Sequence, residues 1–406
     1  MKIPNEKQYL FVENEIKQST NESLNKDVVP NKDVVPNKDV VPNKDVVPNS
    51  EAVISTKEQN KPSKISSTKT LEPPTCDDHL IWDTYLSVFH YPTLVVADKI
   101  GVFPFLAANP STADDLAKKY CFSLSGMESL LGVLASLGFL IQHQKHFYLT
   151  DVSRNFLLPE NEFYWGGMFG LSWNVASLSP AMMLDILQSK EHSSGKLASM
   201  WEQNDMTLQQ DKLFTDAMHS HSFAAALGVA GKGNFTNVTR LLDVGGGSGC
   251  FSIAIALYHQ QMHLTVMERP NVCKIAEQYI EKYDLQDRIN TIAIDMFNDP
   301  WPRENDTIFF SDIFHDWDKE DCLFLGKSSF DALPSGGAIY VHEMLLDEAK
   351  DGSLAATSYS MNMVLITNGK QFTAQELTDL LKECGFIDIS ITPTYAYYSL
   401  ITGKKP

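Results

Sequence analysis

The 406-residue sequence lacks the marks of a secreted, metal-binding or membrane-spanning protein. Its six cysteines are scattered and none forms a C-x-x-C pair, so neither a zinc site nor a disulfide framework is indicated. No apolar run approaches the length of a membrane span, and the first residues lack the apolar core of a secretory signal. These absences predict a cytoplasmic protein with no metal and no membrane partner.

Positive charge is also scarce, because 33 Lys and Arg residues stand against 51 Asp and Glu residues and give a formal net charge of −18. A duplex-binding protein needs a basic surface to displace counterions, so this balance argues against a nucleic-acid partner. Hydrophobic residues make up 43% of the chain, which is enough to form buried cores. The length favours two or three domains over one.

The first 75 residues differ from the rest. Four consecutive copies of the sequence NKDVVP occupy residues 25–48, and a proline every six residues prevents a helix of useful length. Each copy offers only two valines to a core. We therefore predict that residues 1–75 are a disordered, low-complexity tail, and we favour a solvated extension over a partner-binding segment.

Residues 76–180 have a helical pattern that includes a hairpin. Ser111 and Asp114 resemble a capping box, and a second helix runs through residues 127–137. Short apolar runs then flank the polar turn QHQK, which predicts two antiparallel strands. This order is typical of a winged helix. The second helix carries no Lys or Arg that could contact DNA, so we favour a structural or dimerising role.

Strands and helices alternate in the last part of the chain, which we take as a domain at residues 181–406. Methionines and aromatic residues between 165 and 221 fit core filler and a pocket wall equally well. The alternation after residue 239 predicts an α/β fold with a doubly wound, mostly parallel sheet. Two strand-like pieces in residues 388–402 predict an antiparallel C-terminal hairpin.

The strongest local motif is the sequence DVGGGSG at residues 243–249, between a buried strand and a helix. Glycines let the backbone approach a ligand closely. The dinucleotide fingerprint G-x-G-x-x-G would need a glycine where Cys250 stands, which disfavours NAD and FAD. The pattern matches instead the loop that holds S-adenosylmethionine, so Asp243, Gly245 and Gly247 are predicted cofactor residues.

Acidic residues follow the next two predicted strands. Glu268 ends the second strand, where a carboxylate accepts hydrogen bonds from ribose hydroxyls. Asp295 and Met296 follow the third strand, where the same crevice would meet an adenine ring. We expect Asp295 to take the adenine amine and Met296 to pack on the ring face.

His315 is the predicted catalytic residue, in the sequence SDIFHDW at residues 311–317. It follows a strand and therefore lies at the carboxyl edge of the predicted sheet, where ligands bind. Imidazole titrates near neutral pH and suits removal of a proton from a phenol. Glu343 ends the next strand and could hydrogen-bond the other ring nitrogen. A carboxylate orients a histidine base in this way in sites where the base activates an oxygen nucleophile.

These motifs, with HDW at 315–317 and the stretch from Glu343 to Thr373, resemble the plant-type, caffeic acid- and acetylserotonin-like O-methyltransferase family. The resemblance implies a class I methyltransferase domain behind a winged-helix dimerisation domain, and a homodimer. It implies that His315 is the base and Glu343 its partner. It places Gln371 where the family has a second catalytic Glu, and Ser311 where plant members have a cofactor-contacting Lys.

The resemblance also implies that Asp316 and Asn362 face the substrate, a small hydroxylated molecule. Asp312 and Ile366 replace residues of the acetylserotonin enzymes, which disfavours that acceptor. We therefore predict methyl transfer from S-adenosylmethionine to a hydroxyl of a small, aromatic or polyketide-like acceptor. Two alternatives stay open: a C- or N-methyltransferase on the same fold, and a non-catalytic regulator that binds the cofactor.

Overall fold

The computed structural model describes residues 74–174, 179–188, 200 and 206–406. The contacts of the chain separate Met1–Thr75 from Cys76–Pro406. The predicted disordered tail with its NKDVVP repeats lies almost wholly outside the described residues. The predicted domain boundaries at residues 75 and 180 stay predictions.

Within the described residues, no single helix is both long and apolar enough to cross a membrane. The helical segments His79–Lys99 and Val102–Ala108 reach that length and composition only as a pair, and they bend by 63° at their junction. The predicted cytoplasmic location stays a prediction, as does the predicted lack of membrane and nucleic-acid partners.

The first part of the described chain is a cluster of short helices. Thr112 and Asp115 form a capping box, in which the Asp115 N–H donates to Thr112 Oγ1 at 3.2 Å. The predicted capping box at Ser111 and Asp114 is wrong by one residue, because Ser111 pairs with Phe147 in a strand. The helices are α1 His79–Leu86, α2 His90–Lys99, α3 Val102–Ala108, α4 Ala113–Tyr120 and α5 Leu124–Ser136.

Strands from both sides of α4 and α5 form a small antiparallel sheet. Its strands β1 Ser111–Thr112, β2 Leu140–His143 and β3 His146–Leu149 lie in the order β1-β3-β2. The predicted hairpin is confirmed, with its turn shortened to Gln144 and Lys145. Both turn residues have positive φ, 47° and 66°, as the favoured two-residue hairpin turns require.

An uncovered apolar surface runs along α1 and the 3-10 turn Ser87–Phe89. Leu80 and Ile81 are 79% and 72% exposed, and Val88 is 62% exposed. Monomeric soluble proteins rarely expose large contiguous apolar patches, so this surface indicates an interaction site. We call it the N-terminal apolar face, formed by Leu80, Ile81, Trp82, Tyr85, Val88 and Phe89.

Further helices in the described residues lie between this cluster and the main sheet. The last of these helices, Leu208–Lys232, packs closely on the helix that contains Gly167. A Cβ on Gly167 would lie only 2.4 Å from the Asp216 carbonyl oxygen. A capping box formed by Thr207 and Gln210 begins the same helix. The connecting helices are α6 Asp151–Phe156, α7 Gly166–Asn174, α8 Pro180–Gln188 and α9 Leu208–Lys232.

The main sheet in the described residues has seven strands in the order β6-β5-β4-β7-β8-β10-β9. Strands β4 to β8 pair in parallel, and β10 runs antiparallel between β8 and β9, so the predicted sheet and hairpin are confirmed. The strands are β4 Arg240–Val244, β5 His263–Glu268, β6 Ile289–Ala293, β7 Thr307–Ser311, β8 Ala338–Met344, β9 Ile387–Pro393 and β10 Tyr398–Lys404. The helices between them are α10 Cys250–Tyr258, α11 Pro270–Lys282, α12 Lys319–Ala332, α13 Leu354–Ile366 and α14 Ala374–Glu383.

The strand order reverses between β4 and β7, which fixes where a ligand binds. Both strands are buried on both faces: Leu241, Leu242, Phe309 and Phe310 have no exposed surface. In open parallel sheets the crevice at the carboxyl end of such a switch point receives ligands. The residues that follow β4 and β7 are the glycine-rich loop and the segment with His315, so the topology brings both motifs together.

Candidate functional site

The glycine-rich loop turns from β4 into α10 through left-handed backbone. Gly245, Gly247 and Gly249 have φ values of 66°, 58° and 73°, which side-chain-bearing residues rarely adopt. A Cβ on Gly245 would lie 2.5 Å from Ile313 Cδ1, so this glycine also permits close contact with the segment after β7. A Cβ on Gly247 would meet no atom within 4 Å, which leaves open space above the loop for a ligand.

Asp243 lies near the end of β4, shortly before the glycines of this loop. The side chain is buried, and its Oδ2 accepts a hydrogen bond of 2.6 Å from Ser252 Oγ. Burial raises the pKa of Asp243 to about 7, although the hydrogen bond from Ser252 opposes the shift. This hydrogen bond joins the end of β4 to α10, the helix into which the loop leads.

Glu268 stands at the end of β5 beside the loop. Its Oε1 accepts a hydrogen bond of 3.2 Å from the Gly247 N–H, and its Oε2 accepts one of 2.8 Å from the Arg269 N–H. Burial raises the pKa of Glu268. Gly247 and Glu268, both predicted cofactor residues, are thus in direct contact at the carboxyl edge of the sheet.

The sequence did not indicate that α9 also holds the glycine-rich loop. His219 Nδ1 lies 2.8 Å from Ser248 Oγ, and the imidazole stacks on Tyr279 at a centroid distance of 4.0 Å. Burial lowers the pKa of His219 to about 4, so the ring is neutral at physiological pH. It positions the loop as a hydrogen-bonding group without charge.

Asp295 and Met296 follow β6 at the same edge. Asp295 Oδ1 accepts hydrogen bonds from the backbone N–H groups of Phe297 at 2.9 Å and Asn298 at 3.3 Å. These bonds organise the turn after β6 and leave Asp295 exposed, while Met296 is half-buried. The position is therefore open to a ligand.

His315 lies in a buried 3-10 turn, Phe314–Asp316, that follows β7. Its Nδ1 is 2.9 Å from Glu343 Oε2, and its backbone N–H donates a hydrogen bond of 3.4 Å to Glu343 Oε1. The side-chain nitrogen of Gln371 is 3.0 Å from the same Nδ1. The three predicted catalytic residues are therefore in contact, and Glu343 and Gln371 have no exposed surface.

Two further carboxylates flank the imidazole. Asp312 Oδ1 is 3.7 Å from Nδ1 and Asp316 Oδ1 is 3.7 Å from Nε2. Burial alone would lower the pKa of His315, but Glu343, Asp316 and Asp312 outweigh it and raise the pKa to about 10. Burial raises the pKa of Asp312 and of Asp316 to about 7. The sequence identified Asp312 only as a replacement of a family residue and did not indicate that it lies beside the imidazole.

The segment after α13 holds the 3-10 turn in place. The Asn368 N–H donates to the Asp316 carbonyl oxygen at 3.1 Å. Gly369 passes so close that a Cβ there would lie 2.1 Å from the His315 carbonyl oxygen. This contact requires glycine, and it carries the chain directly to Gln371.

Ser311 forms a separate polar group at the end of β7. Its hydroxyl is 2.9 Å from His342 Nδ1, and His342 Nε2 is 3.0 Å from Thr394 Oγ1. Burial lowers the pKa of His342 to about 3, so this histidine stays neutral. The Ser311 hydroxyl, a predicted cofactor contact, is thus engaged with the protein.

Aromatic residues from three elements enclose the imidazole side of the site, which the sequence did not reveal. Tyr359 on α13 meets His315 edge-to-face at a centroid distance of 5.3 Å. Tyr398 on β10 donates a hydrogen bond to the Asp312 carboxylate. Nε2 of His221, on α9, lies 3.5 Å from the Tyr398 hydroxyl. Asn362 lies one helical turn beyond Tyr359 and is exposed.

One group among the described residues has the spacing of a metal site. The ligand atoms of Asp312, His315 and Glu343 lie within 4.8 Å of one another. The predicted absence of a metal stays a prediction.

Known proteins share this architecture. The family model for an O-methyltransferase domain matches residues 181–387, and the model for an O-methyltransferase dimerisation domain matches residues 82–159. The 3-hydroxy-5-methyl-1-naphthoate 3-O-methyltransferase of Streptomyces sahachiroi is 30% identical over 76% of this chain and 90% of its own length. The acetylserotonin O-methyltransferase of Gallus gallus is 26% identical over 77% of this chain and 93% of its own length.

A solved structure has the same fold. The crystal structure of human N-acetylserotonin methyltransferase in complex with S-adenosylmethionine superimposes with a TM-score of 0.69 and 23% sequence identity. The match covers 82% of this chain and 99% of that one.

Gly369→Ala should lower the free energy of unfolding by about 1–3 kcal/mol, because the new Cβ would collide with the backbone of the 3-10 turn. Urea unfolding measures the change. Gly132→Ala in α5 is the control, since a Cβ there meets no atom within 4 Å and alanine favours a helix by about 0.5–1 kcal/mol. Equal stability of the two variants would contradict the assigned contact.

Proposed function

Because this chain belongs to the O-methyltransferase family, whose members take a methyl group from S-adenosylmethionine, we propose that it methylates a hydroxyl of a small aromatic acceptor with His315 as the general base. The observation that carries the proposal is the 2.9 Å contact between His315 Nδ1 and Glu343 Oε2. A carboxylate at Nδ1 keeps a proton on that nitrogen and leaves Nε2 to take the proton of the acceptor.

The buried residues supply the acid–base chemistry. When bound, S-adenosylmethionine supplies a methyl group activated by a positively charged sulfur. His315 Nε2 takes the proton that the acceptor hydroxyl loses, and Glu343 stabilises the imidazolium that forms. Gln371 contacts Nδ1, and with a proton on that nitrogen it would orient the ring through its amide oxygen, which accepts. A neutral amide stabilises the charge of the ring less than a carboxylate would. The imidazole is 3% exposed, which limits competition by water.

The carboxyl edge of β4, β5 and β6 is the proposed cofactor site, and its residues fit the group. The open space above Gly247 adjoins the carboxylate of Glu268, which would accept hydrogen bonds from ribose hydroxyls. Gly245 would let the backbone approach the methionine part. Asp295 and Met296 would flank the adenine ring.

Two predicted cofactor residues are better interpreted as supports. The Asp243 carboxylate accepts its hydrogen bond from Ser252, and the Ser311 hydroxyl is engaged with His342. We propose that both act through the backbone that they hold. The assignment of residues 76–180 to dimerisation and of residues 181–406 to catalysis belongs to the same proposal.

The acceptor would lie beside Nε2 of His315. Asp316, 3.7 Å from that nitrogen, would border the acceptor hydroxyl. The edge of Tyr359 favours a flat, aromatic acceptor, and Asn362 would lie at the rim of the site. The acceptors named for two relatives, a naphthoate and acetylserotonin, support a small hydroxylated molecule.

A homodimer is the proposed assembly. The N-terminal apolar face overlaps the segment matched by the dimerisation-domain model, which begins at residue 82. Apolar side chains this exposed are stabilised when a second copy covers them.

His315→Ala should reduce methyl transfer by about 100-fold or more, because it removes the base, and should leave S-adenosylmethionine affinity nearly unchanged. Glu268→Gln should show the reverse pattern, with affinity weakened about ten-fold. Calorimetry and transfer of labelled methyl to a panel of small phenols measure the two effects. His263→Ala and Glu281→Gln are the controls, since both side chains are exposed. Normal turnover by His315→Ala would show that the base is another residue.

The pH dependence should report the raised pKa of His315. A base must be unprotonated to act, so a pKa of about 10 predicts that kcat/KM rises with pH from 7 towards 10. Glu343→Gln removes a charge that raises this pKa and should move the rise to lower pH while lowering the maximal rate. A profile that is flat over this range, or a shift to higher pH, would contradict the assignment.

Tyr85→Asp combined with Val88→Asp should convert the dimer into a monomer, because two carboxylates would be buried unpaired at the interface. Sedimentation velocity at micromolar concentration measures the mass. Ile387→Asp is the control, since this exposed apolar residue lies at the start of β9, outside the N-terminal apolar face. A monomeric parent chain would refute the proposed assembly.

A further inference from the structure

The surroundings of His315 are unusually rich in negative charge. The carboxylates of Asp312, Asp316 and Glu343 all lie within 3.7 Å of its ring nitrogens. In the described part of the chain, no lysine or arginine forms an ion pair with any of them. With all three carboxylates ionised, a protonated imidazole would still leave a formal charge of −2, which the raised pKa of Asp312 and of Asp316 reduces at neutral pH. Buried carboxylates without a counter-charge are costly, so the site lacks a positive partner.

Hydrogen-bond acceptors are also in excess there. Asp312 Oδ1 is buried and accepts no hydrogen bond, whereas the Gln371 amide can turn its oxygen towards a protonated Nδ1 of His315. Gln371 has no exposed surface, and its amide reaches His315 Nδ1. Native proteins seldom leave such oxygens without a donor. A ligand that brings both positive charge and several N–H donors would satisfy the two deficits together.

We propose that the acceptor of this enzyme carries a protonated amine, and that Asp312 is the residue that selects it. This inference rests on the proposed function of the same site. An ammonium group has three donors and no acceptor, which matches the unsatisfied Oδ1 of Asp312.

A metal ion is a poorer match. Glu343 Oε2 is 2.9 Å from Nδ1 of His315, which favours a proton on that nitrogen, and a protonated nitrogen is not a ligand. Hard divalent cations also take six or more oxygen ligands, and the group offers two carboxylates and one imidazole.

An ammonium group would also prepare the base. It would share the carboxylates that stabilise the imidazolium, so its arrival would lower the pKa of His315 from about 10. The ring would then be ready to take the proton of the acceptor hydroxyl.

Three matched phenols test the proposal: tyramine, 4-ethylphenol and 3-(4-hydroxyphenyl)propionate, which are positively charged, neutral and negatively charged. Calorimetry of the full chain saturated with S-adenosylhomocysteine measures their affinities. We expect tyramine to bind about ten-fold more tightly than 4-ethylphenol, and the propionate most weakly. Asp312→Asn should abolish the advantage of tyramine and leave 4-ethylphenol unchanged. Asparagine tolerates the left-handed backbone at residue 312, where φ is 53°, so the variant should fold.

Asp351→Asn is the matched control, because it removes an exposed carboxylate outside the site and should keep the preference. Equal affinities for the three phenols, no binding of tyramine, or an unchanged preference in Asp312→Asn would overturn the proposal. The proposal would also fail if Asp312→Asn weakened the binding of S-adenosylmethionine but not of S-adenosylhomocysteine. The Asp312 carboxylate would then serve the positively charged sulfur of the cofactor. Binding of Zn²⁺ alone that Asp312→Asn abolishes would assign it to a metal. Failure of S-adenosylhomocysteine to bind would instead refute the proposed function.

Discussion

The contact between His315 and Glu343 constrains the whole carboxyl edge of the sheet. Glu343 lies on β8, and His315 follows β7, the strand beside it. Successive side chains of a strand point to opposite faces, so the residue before Glu343 must face the other way. That residue is His342, whose two ring nitrogens form hydrogen bonds with the hydroxyl groups of Ser311 and Thr394. One strand thus builds both polar groups of the site, and a change in its register would exchange them.

The glycine-rich loop depends on this arrangement because Ile313, between Asp312 and His315, fills the space where Gly245 has no side chain. The loop is held directly from two sides, by Glu268 through Gly247 and by His219 through Ser248, while Asp243 joins the end of β4 to α10 through Ser252. A loop held by such hydrogen bonds needs little reorganisation when a ligand binds. The cofactor side and the acid–base side are therefore one packed unit.

The sequence was sufficient to predict residues whose place follows from local order. Glu268 and His315 each follow or end a predicted strand, and parallel strands bring such residues to one edge. Residues that reach the site from distant elements could not be predicted: His219 comes from α9 and Tyr398 from β10. Motif membership also did not fix side-chain direction, since Ser311 bonds to His342. Direction depends on neighbours that only the folded chain defines.

Under the proposed function, the charge around His315 would link ligand binding to catalysis. A pKa of about 10 keeps the imidazole protonated at neutral pH, and a protonated ring cannot act as a base. The carboxylates that cause this shift are the groups that a positively charged ligand would contact. Each positive charge that enters the site therefore weakens the hold of the carboxylates on the proton of His315. If His315 is the base, as proposed, positive charge on the cofactor and the acceptor would favour its unprotonated form, so that ligand charge as well as bulk pH would govern proton transfer.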